Sequence, residues 1–415
     1  MKIAYKHLLK YINSSPSINE ISQHLIQLGH ENIVINGEII DLEITPNRGD
    51  CLSINGILRE LSVFYKITYP VIEYKDEINE LDFNFINNAQ DTCESITFLK
   101  IEIDGEIKNY HEELHDYFED LDLNKNNFFT DISNYISYET GQPTHCYDYS
   151  KLKKSKLELR ENNTEIEFDC LNGKRINLNK KDIVFINDDN DIVNLAGIMG
   201  GKNTACSDNT NTVLVECAYF NPESIIGRSI KYDIQSDAAY KFERGVDKEC
   251  HENVLRRFIT IVQKHANIKK VEYLSKDYKR NDNVEVVFDY KKLNKILGAD
   301  LKENDIKNTL IQLGFSFMND GLIIVPSHRS DVFSQNDLAE EIARCIGYDN
   351  ILPIKFKIPN NNEVKRLSKE KKIKELLISN GFYEVINFPF EELREEQSIL
   401  IDNPLDKNRN YLRTN

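Results

Sequence analysis

The stretch VPSHRSDVFSQNDLAEEIARCIGYDN (residues 325–350) combines the end of a strand, a polar loop and an amphipathic helix. The apolar run before it stops at Pro326, which lacks a backbone N–H and so ends a strand. Asn336 is a favoured N-cap residue and predicts that the helix begins there. Three apolar residues then recur at steps of four and three, the spacing of one buried helix face: Leu338, Ile342 and Cys345.

The same helix carries a group of acids. Asp337, Glu340 and Glu341 stand at i, i+3 and i+4, which places them together on the side away from the buried face. Asp331, in the loop before the helix, can reach the same spot. Converging carboxylates need a cation, and a hard ion such as Mg²⁺ suits an all-oxygen site. The alternative is a solvated helix start in which the dipole favours acids and Glu340 pairs with Arg344. Spacing alone favours this alternative.

Length and composition limit the class of protein. A chain of 415 residues with 40% hydrophobic residues is expected to form two to four domains. We find no apolar run of membrane-spanning length and no basic-then-apolar signal at the start. The net charge of -16 argues against a protein that coats nucleic acid through its overall field. The basic run KRLSKEKKIK (365–374) is a candidate local contact, although a solvated helix face explains it better.

The eight cysteines stand singly, without a C-x-x-C pair or clustered spacing. This pattern is typical of reduced thiols in a cytoplasm rather than of a disulfide framework or a zinc site.

Turn, cap and strand signals divide the chain into four parts and predict an α+β multidomain fold. A capping box at Ser17–Glu20 begins one helix of the first part. A hairpin joins the strands 183–186 and 192–195 of the second part, and a strand is predicted over 384–388 in the fourth. The predicted parts are a small helix–strand module (1–75), a larger mixed α/β domain (90–275), a third unit that holds the opening stretch (280–355), and the start of a further module (362–415), reached by a polar linker from Asn361.

Six phrases, taken together and in order, resemble the beta subunit of bacterial-type phenylalanyl-tRNA synthetases. They are DLEITPNRGDCLSINGILREL (41–61), NYISYETGQPTHCYD (134–148), NLAGIMGG (194–201), VLVECAYFNPESIIGRS (213–229), SDAAYKFERGVD (236–247) and VPSHRSDVFSQNDLAEEIARCIGYDNI (325–351). They span nearly the whole chain.

The resemblance implies a cytoplasmic α2β2 enzyme that charges tRNA(Phe). In that family the alpha subunit activates phenylalanine with ATP, and the beta subunit contributes tRNA contacts, the alpha interface and an editing site. Consistent with this division, the sequence holds no Gly-rich phosphate loop and no class II arginine motif, so adenylation is not expected of this chain. Its parts would be a B1-like module, a B3/B4-like editing domain, a winged-helix-like B5 domain and the start of a non-catalytic class II synthetase-like module.

The resemblance also assigns candidate site residues. In the B5 domain of the family four carboxylates bind Mg²⁺, and the matching residues are Asp331, Asp337, Glu340 and Glu341. The B3/B4 domain of the family hydrolyses tyrosine wrongly attached to tRNA(Phe). The matching candidates are the tyrosine-reading Glu216, His145 to position the ester or water, Ser236 in place of a threonine, and the small pocket residues Gly200 and Ala238.

The side-chain chemistry of Glu216 and His145 suits the editing roles, but each residue also has a structural alternative. A buried carboxylate can accept a hydrogen bond from a phenol, which phenylalanine does not offer, and imidazole titrates near neutrality. The alternatives are a loop histidine bonded to backbone at position 145, and a glutamate at position 216 paired with Arg228 or Arg244.

The chain departs from the family pattern in four places, one of which is the run 326–331, where the family's tryptophan and phenylalanine are His328 and Ser330. An arginine expected upstream of the NYISYETGQP run is Asn124, with Lys125 adjacent; a lysine lacks the planar fork of an arginine. The halves of the first module join directly around Gly37–Glu38, without the oligonucleotide-binding barrel that many members insert there. The resemblance also leaves most of the family's C-terminal half without a counterpart up to Asn415, as expected of a fragment, a split gene or a reduced form. The sequence therefore resembles a reduced form of the beta subunit.

Three functions follow as hypotheses. The first is a synthetase beta subunit that needs an alpha partner. The second is a free-standing hydrolase of mischarged tRNA, and the third is a structural scaffold whose editing has decayed.

Overall fold

The computed structural model describes residues 1–152, 156–279, 283–319, 321–353, 368–392 and 398–413. Contacts divide the chain into two compact units, Met1–Ile354 and Lys355–Asn415. The predicted boundaries at 280, 355 and 362 fall outside the described residues, as do the linker from Asn361 and the first three residues of the basic run. In the described parts of the chain, no helix combines the length and the hydrophobicity needed to cross a membrane.

The first module is a three-stranded antiparallel sheet, in the order β1-β3-β2, packed against helices. The predicted helix start at Ser17 is confirmed, because Ser17 Oγ accepts a hydrogen bond from the Glu20 N–H at 3.2 Å. Its elements are β1 (Lys2–Ala4), α1 (Tyr5–Leu9), α2 (Ile18–Gln27), β2 (Glu31–Ile35), β3 (Ile39–Glu43) and α3 (Ile54–Leu61).

The middle domain contains two five-stranded sheets and a two-stranded ribbon. The central sheet has the order β4-β15-β6-β14-β7, the second sheet has the order β13-β12-β11-β8-β5, and the ribbon is β10-β9. The elements are β4 (Asn79–Glu80), β5 (Asn84–Asn87), β6 (Cys93–Asp104), α4 (Glu112–Asp120), α5 (Phe128–Thr140), β7 (Thr144–Asp148), β8 (Lys156–Glu161), β9 (Ile166–Asp169), β10 (Arg175–Leu178), β11 (Ile183–Ile186), β12 (Ile192–Leu195), β13 (Met199–Gly200), β14 (Thr212–Phe220), α6 (Pro222–Ile225), α7 (Arg228–Lys231), α8 (Asp237–Phe242), α9 (His251–His265) and β15 (Asn267–Asp277).

Two apolar cores lie on opposite faces of the central sheet. Side chains alternate along each strand, so Leu99 and Val215 join a core with α5, α9 and the first module. Phe98 and Leu214, one position away, join a core with the second sheet. The predicted hairpin of the second sheet is confirmed, since β11 and β12 pair antiparallel.

The GQP run positions β7 at the edge of the central sheet. Gly141 ends α5 with a φ of 87°, a left-handed conformation that glycine adopts without steric cost. Gln142 follows, and its Nε2 donates to the Ala218 carbonyl of β14 at 2.9 Å. The chain then enters β7, which pairs with β14 from Thr144 to Asp148.

The third module is a three-stranded sheet in the order β16-β18-β17 with three helices. The predicted buried face of its last helix is confirmed, since Leu338, Ile342 and Cys345 are all buried. The helix start was predicted wrongly: Ser334, not Asn336, is the N-cap, because Ser334 and Asp337 form a reciprocal capping box. The elements are β16 (Glu285–Val287), α10 (Tyr290–Leu297), α11 (Glu303–Gln312), β17 (Ser316–Phe317), β18 (Leu322–Ile324) and α12 (Gln335–Ile346).

A buried group of charged residues joins the first module to the third. Arg344 of α12 donates to both carboxylate oxygens of Glu60 on α3 and to Glu341. The predicted pair between Arg344 and Glu340 is therefore wrong, because Glu60 and Glu341 take the guanidinium. Arg48 Nη2 also donates to Glu60, at 2.7 Å. We call this group the ionic cluster; its members are Arg48, Asp50, Glu60, Arg329, Asp331, Glu341 and Arg344.

The second unit consists of α13 (Lys369–Ser379) and a small antiparallel sheet in the order β19-β21-β20, formed by β19 (Phe390–Glu391), β20 (Ile399–Leu400) and β21 (Tyr411–Leu412). The described part of the basic run therefore starts a helix. The strand predicted over 384–388 is wrong, because the segment that pairs with β21 lies later, at Phe390–Glu391.

We predict that Arg344→Ala lowers the free energy of unfolding by about 3 kcal/mol or more, because removing one partner of a buried ion pair costs about 3–5 kcal/mol. Lys10→Ala is the matched control, since its pair with Asp116 is exposed and such pairs contribute no more than about 1 kcal/mol. Urea denaturation followed by circular dichroism measures both. Equal losses in the two variants would contradict the role of the ionic cluster.

Candidate functional site

The candidate site lies between the two five-stranded sheets of the middle domain, around Glu216. Along β14, Val215 and Cys217 face the helices, whereas Leu214 and Ala218 face the second sheet. Glu216 shares the face of Leu214 and Ala218, so the alternation of the strand directs its carboxylate into the layer between the sheets. The side chain is 4% exposed.

The carboxylate of Glu216 is held by a tyrosine and an asparagine. Tyr147 Oη donates to Glu216 Oε2 at 2.6 Å, and Asn194 Nδ2 donates to Tyr147 Oη at 2.9 Å. Burial raises the pKa of Glu216 to about 7, although hydrogen bonds from Tyr147 and Asn194 act in the opposite direction. The alternative pairing with Arg228 or Arg244 is wrong. Arg228 lies near Asp182, and Arg244 pairs with Glu243.

His145 lies directly across from Glu216 in the pairing of β7 with β14. Residues that face each other in an antiparallel pair project to the same side, so the imidazole and the carboxylate share the inter-sheet layer. The ring of His145 stands edge-on to that of Tyr147, with centroids 4.4 Å apart. Burial lowers the pKa of His145 to about 4, so the imidazole is neutral at neutral pH. The alternative of a loop histidine is wrong, because His145 belongs to a strand.

Gly200 leaves the space that His145 occupies. A Cβ added at Gly200 would lie 2.2 Å from Cε1 of His145 and 2.7 Å from a methyl carbon of Leu171. Gly200 in turn pairs with Asn194 in the second sheet. The structure thus brings three of the predicted residues, His145, Gly200 and Glu216, into one place together with Tyr147 and Asn194.

Ser236 and Ala238 lie on the neighbouring helix α8. Ser236 is its N-cap, accepting from the Ala239 N–H at 3.1 Å and donating to the Ile198 carbonyl at 2.6 Å. The hydroxyl therefore fastens α8 to the segment before β13. Ala238 lines a cavity of about 700 Å³ that also reaches Thr144, the neighbour of His145.

Asn124 and its neighbour Lys125, where the family pattern has an arginine, differ in their position relative to this cavity. Asn124 lines it, whereas Lys125 lies 3.4 Å from Glu119 and over the ring of Tyr110. A cation that sequence reasoning missed is Lys241, which lines the cavity and donates to Ser137 Oγ at 2.9 Å. Burial lowers the pKa of Lys241 to about 8.

Two other residues of the site were also missed, and both have a signal in the sequence. Tyr147 stands two positions after His145 in the phrase NYISYETGQPTHCYD, so the alternation of a strand puts both on one face. Asn194 is the polar residue that opens the apolar phrase NLAGIMGG. The sequence carries no signal for the packing of the two sheets against each other, and this packing brings the residues together.

The four acids predicted to bind Mg²⁺ do not gather around one point. Arg329 donates to both oxygens of Asp331 and to both oxygens of Glu341, over 2.6–2.9 Å. Asp337 caps α12 by accepting from the Phe333 and Ser334 N–H groups, and Glu340 is exposed.

These contacts do not fit a Mg²⁺ ion, which needs carboxylate oxygens free to bind it. Both oxygens of Glu341 are taken by arginines. Burial opposes ionisation there, but the hydrogen bond from Arg329 and the charge of Arg344 lower the pKa of Glu341 to about 2. Asp331 and Glu341 are thus bonded to arginines of the ionic cluster in this structure.

A second group with metal-ligand chemistry shares Glu60 with the ionic cluster. Among the described residues, His30, Cys51 and Glu60 are the only three such side chains whose ligand atoms lie within 4.8 Å of one another. Two guanidinium groups already bond Glu60, and burial raises the pKa of the Cys51 thiol well above its usual range. Positive neighbours and a protonated thiol both disfavour a metal cation.

Comparison with protein families gives two matches. Residues 97–267 match the B3/4 domain, and residues 286–348 match the tRNA synthetase B5 domain. The first match contains Glu216 and its neighbours, and the second contains the four acids near α12.

Curated relatives share most of this chain. A phenylalanine--tRNA ligase beta subunit of Wolbachia sp. subsp. Brugia malayi is 32% identical over 423 residues, which cover 95% of this chain and 53% of the relative. That of Protochlamydia amoebophila is 31% identical, with 91% and 48% covered, and that of Fusobacterium nucleatum subsp. nucleatum is 30% identical, with 92% and 50% covered. The chain therefore spans about half the length of these relatives. An N-terminal fragment of the phenylalanyl-tRNA synthetase beta subunit from Pyrococcus horikoshii superposes with a TM-score of 0.46 at 14% identity, covering 83% of this chain and 99% of that one.

We predict that Gly200→Ala displaces the ring of His145, because the new Cβ and Cε1 cannot remain 2.2 Å apart. The ¹H–¹³C signal of His145 Cε1 should shift while the far-ultraviolet circular dichroism stays close to wild type. Gly173→Ala is the control: it has a φ of 81° and no atom near the added Cβ, so it carries only the backbone cost of about 1 kcal/mol. An unmoved His145 signal in Gly200→Ala would contradict the packing described.

Proposed function

We propose, from its membership of the phenylalanine--tRNA ligase beta-subunit family, that this chain supports the charging of tRNA(Phe) with phenylalanine by an alpha partner. Its middle domain hydrolyses tyrosine wrongly attached to that tRNA. The observation that carries the second statement is the pairing of a neutral His145 with a buried Glu216 between the two sheets.

Recognition of the substrate depends on the carboxylate of Glu216. A tyrosyl ester carries a phenol that can donate to Glu216 Oε1, the oxygen that does not bond Tyr147 or Asn194, whereas a phenylalanyl ester offers this oxygen no hydrogen bond. A site built to bond a substrate hydroxyl rejects an analogue without it strongly, because its own polar group stays unsatisfied. Among the described residues, no cation contacts Glu216, so its acceptor capacity is not spent on an ion pair.

His145 positions the water. Its neutral imidazole accepts a hydrogen bond from the water as the water oxygen attacks the ester carbonyl carbon and releases a proton; with a pKa of about 4, below the neutral range expected of an imidazole, His145 is only a weak base at pH 7. The bond between that carbon and the ribose oxygen of the tRNA then breaks, and the proton passes to the leaving oxygen. The products are free tyrosine and a tRNA with its terminal hydroxyl restored.

The remaining assignments rest on the resemblance. A cytoplasmic α2β2 assembly, a winged-helix-like third module and a class II synthetase-like start in the last module are parts of this proposal. The two helices and three short strands of the third module before α12 support the winged-helix-like arrangement.

We predict that the full chain, alone and with its alpha partner, hydrolyses Tyr-tRNA(Phe) at least about tenfold faster than Phe-tRNA(Phe). A Glu216→Ala/His145→Ala variant should lose this hydrolysis, and Glu216→Gln should lose the preference for tyrosine. Glu167→Gln, an exposed acid of the same domain, is the control. Equal slow hydrolysis by wild type and double variant would favour the scaffold hypothesis. Failure to copurify with the alpha subunit would favour the free-standing hydrolase.

The family resemblance places Mg²⁺ at Asp331, Asp337, Glu340 and Glu341, whereas the bonds of Arg329 to Asp331 and Glu341 oppose it, and a titration decides between the two. If the ion binds, isothermal titration of wild type with Mg²⁺ gives a binding heat that Asp337→Ala/Glu340→Ala loses; this variant spares the ionic cluster. A Glu303→Ala/Asp305→Ala variant, from the acidic first turn of α11, is the control and should behave as wild type. The same heat in both variants would remove Mg²⁺ from this position.

A further inference from the structure

The inter-sheet layer contains a phenol of the protein itself. Tyr147 is fully buried among apolar side chains, and its hydroxyl already donates to Glu216 Oε2. Asn194 fixes the direction of this bond, because its amide donates to Tyr147 Oη and leaves the phenol proton for the carboxylate. The site thus holds a tyrosine hydroxyl bonded to the same carboxylate that the proposed reaction uses to recognise one.

The two oxygens of Glu216 consequently differ. Oε2 accepts from Tyr147 and lies 3.4 Å from Asn194 Nδ2. For Oε1, the described residues provide no hydrogen-bond donor. A substrate phenol would therefore meet an acceptor whose position and direction are set by contacts to the other oxygen.

We propose that Tyr147 is a positioning residue of the editing site: with Asn194 it holds Glu216 by Oε2 and presents Oε1 to the para-hydroxyl of an aromatic aminoacyl ester. This inference rests on the proposed function and adds to it the residue that makes Glu216 an acceptor. Tyr147 does not swing aside, because its ring packs in the core between the sheets and is edge-on to His145.

The phenol also controls the charge of Glu216. Burial favours the protonated carboxyl, and the hydrogen bond from Tyr147 favours the carboxylate, which leaves the pKa of Glu216 near 7. A protonated carboxyl donates where a carboxylate accepts, so recognition of a phenol depends on this balance. The titratable groups that act on Glu216 or adjoin it are neutral near pH 7: His145 and Tyr147 on β7, Cys146 between them, Cys93 on β6 and Cys217 on β14.

Tyr147→Phe removes only the hydroxyl and with it a bond that favours the ionised form, so the pKa of Glu216 rises. A hydrogen bond to a charged group is worth enough to move the midpoint upward by about one to two pH units. The ionised fraction at pH 7 then falls about five- to fiftyfold, and raising the pH restores it.

The test measures Tyr-tRNA(Phe) hydrolysis by the full chain from pH 6 to 9 and, on the same proteins without tRNA, the infrared carboxyl band that Glu216→Gln removes. For Tyr147→Phe we expect hydrolysis about five- to fiftyfold slower at pH 7, recovery at high pH, and an infrared midpoint shifted upward. Asn194→Ala, which removes the amide that orients the phenol, should shift both in the same direction. Tyr219→Phe, on β14 but not bonded to Glu216, is the matched control and should change neither.

Each outcome decides a separate point. Faster hydrolysis by Tyr147→Phe would overturn the inference and make the phenol a plug of the site. An unshifted infrared midpoint would overturn it as well, whatever the hydrolysis rates. If wild type does not hydrolyse Tyr-tRNA(Phe) at any pH, the proposed function fails, and a shifted midpoint still reports that Tyr147 holds Glu216.

Discussion

The bond between Arg344 and Glu60 joins two modules whose sequences lie on either side of the middle domain. Both side chains are buried, so each charge has lost its hydration and depends on the other for compensation. Other contacts also join the two modules. The side chain of Gln27 donates to the Cys345 carbonyl, that of Ser62 donates to the Gln312 carbonyl, and Leu28 packs in the core of the third module. These polar contacts are directional, so they favour one relative position of the two modules.

The middle domain buries its glutamate, Glu216, in surroundings opposite to those of the ionic cluster. Glu216 is buried without any cation among the described residues, and it is held by neutral donors alone. Where the ionic cluster lowers the pKa of Glu341, the apolar layer between the sheets raises that of Glu216. The same residue type is thus a permanent anion at the junction and a titratable group at the candidate site. The surroundings, not the residue, decide which.

The sequence predicted local elements well where one periodicity dominates. The stripe Leu338, Ile342 and Cys345, the cap at Ser17 and the hairpin of β11 and β12 required only neighbours along the chain. Two predictions were wrong for different reasons. The N-cap is Ser334 rather than Asn336, because Asp337 completes a local capping box with Ser334. Arg344 bonds Glu341 and the distant Glu60, 284 residues away, rather than Glu340, because folding brings Glu60 beside it. Tyr147 was overlooked for the same reason, since its partner Asn194 lies in the other sheet and pairing between sheets has no signature in spacing.

Glu60 and Arg344 are separated by 284 residues of sequence, so the ribosome synthesises them at different times. At about 5 to 20 residues per second, about 15 to 60 s of synthesis separate the two side chains. Until Arg344 emerges from the ribosome, the first module holds Asp50 and Glu60 against the single guanidinium of Arg48. The beginning of the chain is therefore the part that matures late. Its charge balance is completed by a helix translated after the entire middle domain.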